Sequence, residues 1–165
     1  MSIHFDAKWL YLAFNIKDIS MITEYMKTEH RTCDTLFSET EGAIINGNFE
    51  AAQTFFKNFL DDTLKHFKKE ENILFPAFED VTGMKQGPTQ MMRQEHEQMR
   101  GLLSRLQMAM DKKDKDTFLA IAEPLMILMQ QHNMKEEQML YAMCDNTIPQ
   151  DIKESTIKSM TEVTN

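Results

Sequence analysis

Cysteine is scarce in this sequence, which contains only Cys33 and Cys144 among its 165 residues. Two cysteines do not make the disulfide framework of a small secreted protein, so a reducing, cytoplasmic compartment fits better. Glycine and proline are also few, with five and four residues, and most of them fall where turns are predicted. Because both residue types disfavour helix interiors, their scarcity is typical of an all-α protein.

Basic charge and long apolar runs are lacking as well. The chain has 18 basic against 26 acidic side chains, a net charge of −8, and no basic stripe, which argues against nucleic acid or an anionic membrane as a partner. The apolar run at residues 9–14 is too short to span a bilayer. It also lacks the basic start and the small-residue cleavage site of a secretory signal. We therefore expect a soluble, cytoplasmic protein that binds neither membranes nor nucleic acids.

Several catalytic motifs are missing, namely a Gly-rich phosphate loop, a CxxC pair and a Ser/His/Asp arrangement. The sequence does contain a histidine and a glutamate four residues apart, His66 and Glu70, and the same pair again at His132 and Glu136. Residues four apart lie on one face of a helix, and imidazole and carboxylate are both ligands for transition metals. One such pair occurs by chance in many helices, but its repetition indicates a metal site.

Two further histidines, His30 and His96, are in register with this repeat. The midpoints between consecutive histidines fall at positions 48, 81 and 114, where the chain has turn signals: Asn-Gly-Asn, a segment ending in Gly83, and a run of alternating charges. If each midpoint is a hairpin between antiparallel helices, the fixed rise per residue puts all four histidines at one level. This is the condition for a single site inside an up-down-up-down four-helix bundle.

The predicted helices follow from apolar periodicity and from stop signals. The first helix should start near Asp18 or Ser20 and run to residue 45, and the second should cover 49–74, with Pro76 ending it. The third helix should cover 88–110, and the fourth should run from 116 with a kink or short break at Pro124. Residues 18–146 would form the bundle, and residues 147–165 a C-terminal segment with one short surface helix. Residues 1–17 would form an N-terminal arm, which packs on the bundle or on a partner subunit and so could form a homodimer.

A single histidine on an apolar helix face is most often a hydrogen-bonded core residue, and this alternative has to be weighed. Four histidines at one level with two glutamates would need six polar groups to meet in the core by accident, and buried carboxylates are costly without a partner. Six ligands are too many for one tetrahedral zinc. Shared over two ions they leave open positions, which suits iron or manganese. The expected metal ligands are His30, His66, Glu70, His96, His132 and Glu136.

These motifs resemble those of hemerythrin-like proteins of the HHE cation-binding class. The matching stretches are Glu29-His30-Arg31, His66 to Glu71 followed by Leu74-Phe75-Pro76, Arg93-Gln94-Glu95-His96, and His132 to Glu137, and the resemblance covers about residues 19–145. It implies a four-helix bundle with a non-haem di-iron centre, in which Glu70 and Glu136 bridge two iron ions beside an oxo or hydroxo bridge. Manganese or zinc could replace the iron.

The sequence departs from the oxygen-carrying members of this class at two positions. Arg100 stands where they have a second histidine, one turn after the helix-3 ligand. Their last carboxylate stands five residues after its histidine, at the place of Glu137, whereas here Glu136 stands four residues after His132. Both departures resemble the HHE subgroup, and one ion would be short of a protein ligand. Tyr25 and Tyr141 are candidate hydrogen-bond donors to the ligands, whereas Cys33 is expected to be a small core residue.

Three classes of function remain open from the sequence. The first is a module that binds or senses O2, NO or peroxide, or stores iron reversibly. The second is a di-iron enzyme in NO or peroxide detoxification or in iron-centre repair. The third is a metal-free bundle that acts through its surface, and the buried carboxylates argue against it. Nothing in the sequence separates the first two classes.

Overall fold

The computed structural model describes residues 21–164, and this part of the chain is helical apart from short connections. The helices are α1 (Ile22–Ile45), α2 (Phe49–Lys69), α3 (Phe75–Thr82), α4 (Pro88–Asp111), α5 (Lys115–Lys135), α6 (Tyr141–Thr147) and α7 (Gln150–Thr161). Two π-helical turns, Glu70–Leu74 and Glu136–Leu140, connect α2 to α3 and α5 to α6. No helix within these residues combines the length and apolar character needed to cross a membrane.

Two helical hairpins, α1 with α2 and α4 with α5, form the bundle. In the first turn Gly47 has φ 73°, a left-handed conformation that glycine adopts without strain, and the Asn48 side chain accepts a hydrogen bond from the Ala51 amide at 3.2 Å. In the second turn Asp114 caps α5 in the same way, through the Thr117 amide at 3.1 Å. These two turns lie where the histidine midpoints placed them, whereas the third midpoint, at position 81, falls in the last turn of α3. The predicted all-α bundle is confirmed.

The core consists of two apolar clusters with a polar layer between them. The cluster near the two hairpin turns includes Phe37, Phe56, Phe59, Leu103 and Phe118. The cluster at the opposite end includes Leu74, Phe75, Phe78, Leu140 and Ile157. Along each bundle helix, the expected ligands fall between members of the first cluster and members of the second. The apolar clusters therefore shield the polar layer from water at both ends.

The expectation that Pro76 ends the second helix is wrong. The chain passes through the π-helical turn, in which the Phe75 amide bonds to the Glu70 carbonyl five residues back, and continues as α3. Pro76 lies in the first turn of α3, where a missing N–H leaves no hydrogen bond unmade. The helix ends instead at Gly83, whose φ is 73°.

The short break expected at Pro124 is wrong, because α5 runs unbroken through this residue, and the kink expected as its alternative stays a prediction. Pro124 and Ala120, whose carbonyl loses its helical donor, are both exposed, so water can bond to that carbonyl. At the C-terminus, α7 is more than a surface helix, since Thr156, Ile157 and Met160 are buried. Its position helps to close the second apolar cluster.

The start of α1 is held by a residue from the far end of the chain. Asp145 accepts hydrogen bonds from the Ile22 amide at 2.8 Å, the Thr23 amide at 3.0 Å and the Thr23 hydroxyl at 2.6 Å. The caps predicted at Asp18 and Ser20 lie outside the described residues. So does the predicted N-terminal arm, and its homodimer contact stays a prediction.

Candidate metal centre

The six expected ligands lie together in the polar layer of the bundle, and all are buried. Each histidine comes from a different helix, and the histidines form two pairs. The Nε2 atoms of His30 and His66 are 3.1 Å apart, and those of His96 and His132 are also 3.1 Å apart. Because the rise per residue is fixed, equal numbers of residues from the turn bring the paired histidines to one level of the bundle.

The two glutamates stand between the histidine pairs. Glu136 directs one oxygen to each pair, with Oε1 3.1 Å from His132 Nε2 and Oε2 3.3 Å from His30 Nε2. Glu70 directs Oε2 to both pairs, at 3.4 Å from His66 Nε2 and 3.2 Å from His96 Nε2. A carboxylate that faces two ligand pairs in this way is arranged to bridge two ions.

Two groups of atoms are close enough to share an ion each. One comprises Glu70, His96, His132 and Glu136, and the other comprises His30, His66 and Glu136. Ligands bound at about 2.1 Å around an octahedral ion lie about 3 Å from one another. The separations of 3.1–3.4 Å within the site fit this spacing. Glu136 belongs to both groups.

Unpaired carboxylate oxygens show that the site suits a cation. Glu70 Oε2 and Glu136 Oε1 are buried and have no hydrogen-bond partner among the described residues. An unpaired oxygen of a buried carboxylate is costly, and bound metal ions are one of the few arrangements that compensate it. The donor set of four imidazoles and two carboxylates suits transition metals better than magnesium or calcium.

A ring of four further carboxylates contacts the outer nitrogens of the histidines. These contacts join Nδ1 of His30 to Glu137 at 2.8 Å, His66 to Glu29 at 2.9 Å, His96 to Glu71 at 2.7 Å and His132 to Glu95 at 2.9 Å. Because a carboxylate only accepts, each Nδ1 carries a proton, and a ring in its neutral form directs its Nε2 lone pair into the site. The sequence reasoning did not assign this ring of carboxylates a role.

A signal for these carboxylates is present in the sequence. Glu29 and Glu95 directly precede His30 and His96, and Glu71 and Glu137 directly follow the two inner glutamates. Glu29 and Glu95 are themselves paired with Lys69 and Lys135. The repeated Glu-His and Lys-Glu-Glu strings therefore encode the ligands together with the groups that orient them.

The electrostatics show how the site is balanced by protons without a metal ion. Burial lowers the pKa of His30, but Glu136 and Glu137 outweigh it and raise the pKa to about 9. Burial also lowers the pKa of His96, but Glu70 and Glu71 outweigh it and raise the pKa to about 9. Burial raises the pKa of Glu71, but hydrogen bonds from His96 and Arg100 outweigh it, so the pKa falls to about 2. A bound cation would replace the protons that His30 and His96 hold because of their raised pKa values.

A tyrosine also reaches the site, directly beside the inner ligands. The Tyr141 hydroxyl lies 2.6 Å from Glu70 Oε1, 2.9 Å from Glu136 Oε2, and 3.3 and 3.5 Å from Nε2 of His30 and His66. Tyr141 follows Glu136 by five residues, and the π-helical turn between them brings its ring back over the site. The expected donor role of Tyr141 has this geometric support. Tyr25 accepts a hydrogen bond from Lys69 at 2.9 Å, and its donor role stays a prediction.

The two departures from the oxygen-carrier pattern have clear positions. The Arg100 guanidinium turns away from the inner ligands, donates to Glu71 Oε2 at 2.8 Å and pairs with Glu97. Glu137 lies on the outer side of His30, while Glu136 faces inward. Cys33 accepts a hydrogen bond from Thr63 at 3.6 Å in the apolar core.

Comparison with known families agrees with this geometry. The family model described as the hemerythrin HHE cation binding domain matches residues 21–144, which include every residue of the site. Searches of curated proteins and of solved structures gave no match. The family match and the cluster of histidines and glutamates together support a metal-binding domain.

Proposed function

The chain belongs to the hemerythrin HHE cation-binding family, and we propose that it is a non-haem di-iron protein that binds or senses O2, NO or peroxide. Its ligands would be His30, His66, Glu70, His96, His132 and Glu136. Two bound iron ions would supply reversible ligand binding and one-electron redox chemistry.

The observation that carries this proposal is the position of Glu136 between two histidine pairs. Its two oxygens face different pairs at 3.1 and 3.3 Å, and it belongs to both groups that could hold an ion. A single ion would bind one pair of histidines. The nitrogen lone pairs of the other two histidines would then face a buried carboxylate. Two ions use all the inner donors, and a ligand set rich in nitrogen favours iron over the alkaline-earth ions.

The surrounding residues would hold the ligands in place and keep water out. The outer carboxylates fix the tautomer and the ring orientation of each histidine, as Glu71 does for His96 at 2.7 Å. The apolar clusters above and below the layer contain fully buried aromatic rings, such as Phe59 and Phe75. In this environment a small, uncharged molecule such as O2 or NO can enter more easily than a hydrated ion.

An enzyme in NO or peroxide detoxification, or in iron-centre repair, is the alternative. Its support is the Tyr141 hydroxyl, which lies among the inner ligands and could donate a proton to a bound molecule. Turnover is the property that separates the two functions, because a binding or sensing protein returns its ligand unchanged.

The test is an optical titration of the iron-loaded protein under anaerobic conditions with O2, NO and peroxide in turn. We expect a spectral change that saturates with the ligand and reverses when the ligand is removed. Continued consumption of peroxide or NO would support the enzyme instead. No spectral response to any of the three, in protein shown to contain iron, would contradict both functions.

A further inference from the structure

The metal centre has a nearly two-fold repeat, in which each residue of the first hairpin has a counterpart 66 positions later. The repeat covers inner ligands, outer carboxylates, lysines and π-helical turns. The related pairs are His30 and His96, His66 and His132, Glu70 and Glu136, Glu29 and Glu95, Glu71 and Glu137, and Lys69 and Lys135. Two ions bound in these halves would therefore have almost the same environment.

Among the pairs at which the repeat fails, Phe75 and Tyr141 differ by a single hydroxyl beside the ligands. Both side chains are fully buried, and both directly follow a π-helical turn. Only Tyr141 has a hydroxyl, and that oxygen lies within 3.5 Å of four ligand atoms, which belong to Glu70, Glu136, His30 and His66. The distances to the two histidines, 3.3 and 3.5 Å, are close to those between ligand atoms elsewhere in the site, such as 3.3 and 3.4 Å.

In the half that contains His96 and His132, the corresponding side chain is Phe75, which has no hydroxyl oxygen. The Phe75 ring lies nearly parallel to the His96 ring, with centroids 6.0 Å apart. Phe67 stacks on the same imidazole with centroids 4.0 Å apart. Arg100, one turn after His96, directs its guanidinium to Glu71 and adds no donor to this half. Among the described residues, the ligand group of this half comprises Glu70, His96, His132 and Glu136.

An exogenous ligand needs a coordination position that no protein atom fills. Beside His30 and His66, the Tyr141 oxygen already stands among the donor atoms. Beside His96 and His132, the neighbouring rings offer no donor. We propose, on the basis of the di-iron function above, that the Tyr141 hydroxyl closes the metal position at His30 and His66 and directs exogenous ligands to the position at His96 and His132.

The proposal can be tested with azide as the probe and the full chain loaded with iron(III). Azide binding is followed by its charge-transfer absorption, and the iron content is measured in the same samples. We expect the unaltered protein to bind a single azide per chain. Tyr141→Phe removes the hydroxyl by which residues 75 and 141 differ and should admit a second azide.

Phe75→Tyr is the matched variant, since it places a phenol in the half that has none. It should lower the azide affinity at least about tenfold, while the iron content stays unchanged. The double variant Tyr141→Phe with Phe75→Tyr moves the phenol to the other half and should bind a single azide again. If Tyr141→Phe does not fold or load iron, the Phe75→Tyr result decides.

The possible failures are distinguishable. Two azides per chain in the unaltered protein, or azide binding in Phe75→Tyr equal to that of the unaltered protein, would overturn the role of Tyr141 and leave the di-iron function standing. An unaltered protein that holds fewer than two iron ions would instead contradict the di-iron function, whatever azide does.

Discussion

His96 Nδ1 lies 2.7 Å from Glu71 Oε1, on the side of the imidazole away from the other ligands. The neighbouring carboxylate in the sequence, Glu70, approaches the opposite nitrogen of the same ring at 3.2 Å. Two consecutive glutamates therefore contact the two nitrogens of one histidine ring, and they should have different effects on metal binding.

The first prediction compares inner and outer carboxylates. Glu70→Ala and Glu136→Ala should each lose bound metal, because each removes a carboxylate that faces two histidines. Glu71→Ala and Glu137→Ala remove only an orienting partner, which typically weakens metal affinity about 10- to 100-fold. Metal content after dialysis against a weak chelator measures the difference. Equal retention in all four variants would contradict the assignment, and loss in Glu137→Ala alone would favour the oxygen-carrier arrangement.

The second prediction concerns Arg100, which stands one turn after His96 on the same helix face. The guanidinium cannot bind a cation, and it is held by Glu71 at 2.8 Å. Arg100→His should place an imidazole near the metal position at His96 and slow the exchange of azide there. Stopped-flow displacement of azide measures the rate, with the exposed Arg105→His as the control. Identical azide rates and spectra in Arg100→His and the unaltered protein would show that no open position is near residue 100.

The third prediction concerns the cap that Asp145 provides for α1. Its side chain is 3% exposed and accepts three hydrogen bonds from Ile22 and Thr23. Asp145→Ala removes the partner of two amides, those of buried Ile22 and half-buried Thr23, and should lower the free energy of unfolding by about 2 kcal/mol. Asp114→Ala, at the exposed cap of α5, should lower it by less. Urea unfolding of both metal-free variants compares these values, and an equal or smaller loss for Asp145→Ala would be inconsistent with the buried cap.

The fourth prediction concerns stability in acid. Burial raises the pKa of Glu79, but hydrogen bonds from Arg93 and Thr89 outweigh it and hold the pKa below its ordinary value of 4.5. This carboxylate therefore adds stability above its ordinary pKa, and the contribution is lost as the pH falls through the lowered pKa. Glu79→Gln should reduce stability at pH 7 and make it less dependent on pH in the acid range. The exposed Glu39→Gln serves as the control, and parallel urea midpoints for the two variants from neutral to acid pH would contradict the prediction.

The arrangement of the inner ligands was predictable because helices have a fixed rise per residue. Equal distances from the turns at positions 48 and 114 bring His30 level with His66 and His96 level with His132. The bundle itself follows from apolar periodicity and short turns. Both results depend on local rules that hold along any helix.

Other features depend on geometry that the sequence pattern does not display. In a regular α-helix the residue five after Glu136 points about 140° away, so only the π-helical turn brings Tyr141 to the site. The same kind of turn lets the chain continue through Pro76. Asp145 caps α1 across 123 positions of sequence, a contact that no local signal specifies.

The number of iron ions retained per chain tests the central claim most directly. Metal-free protein is loaded anaerobically with iron(II), passed through a desalting column, and analysed for iron and protein in the same fraction. We expect two iron ions per chain in the unaltered protein and a clear loss in Glu136→Gln, because Glu136 faces both histidine pairs. One iron ion or none in the unaltered protein would contradict the di-iron assignment.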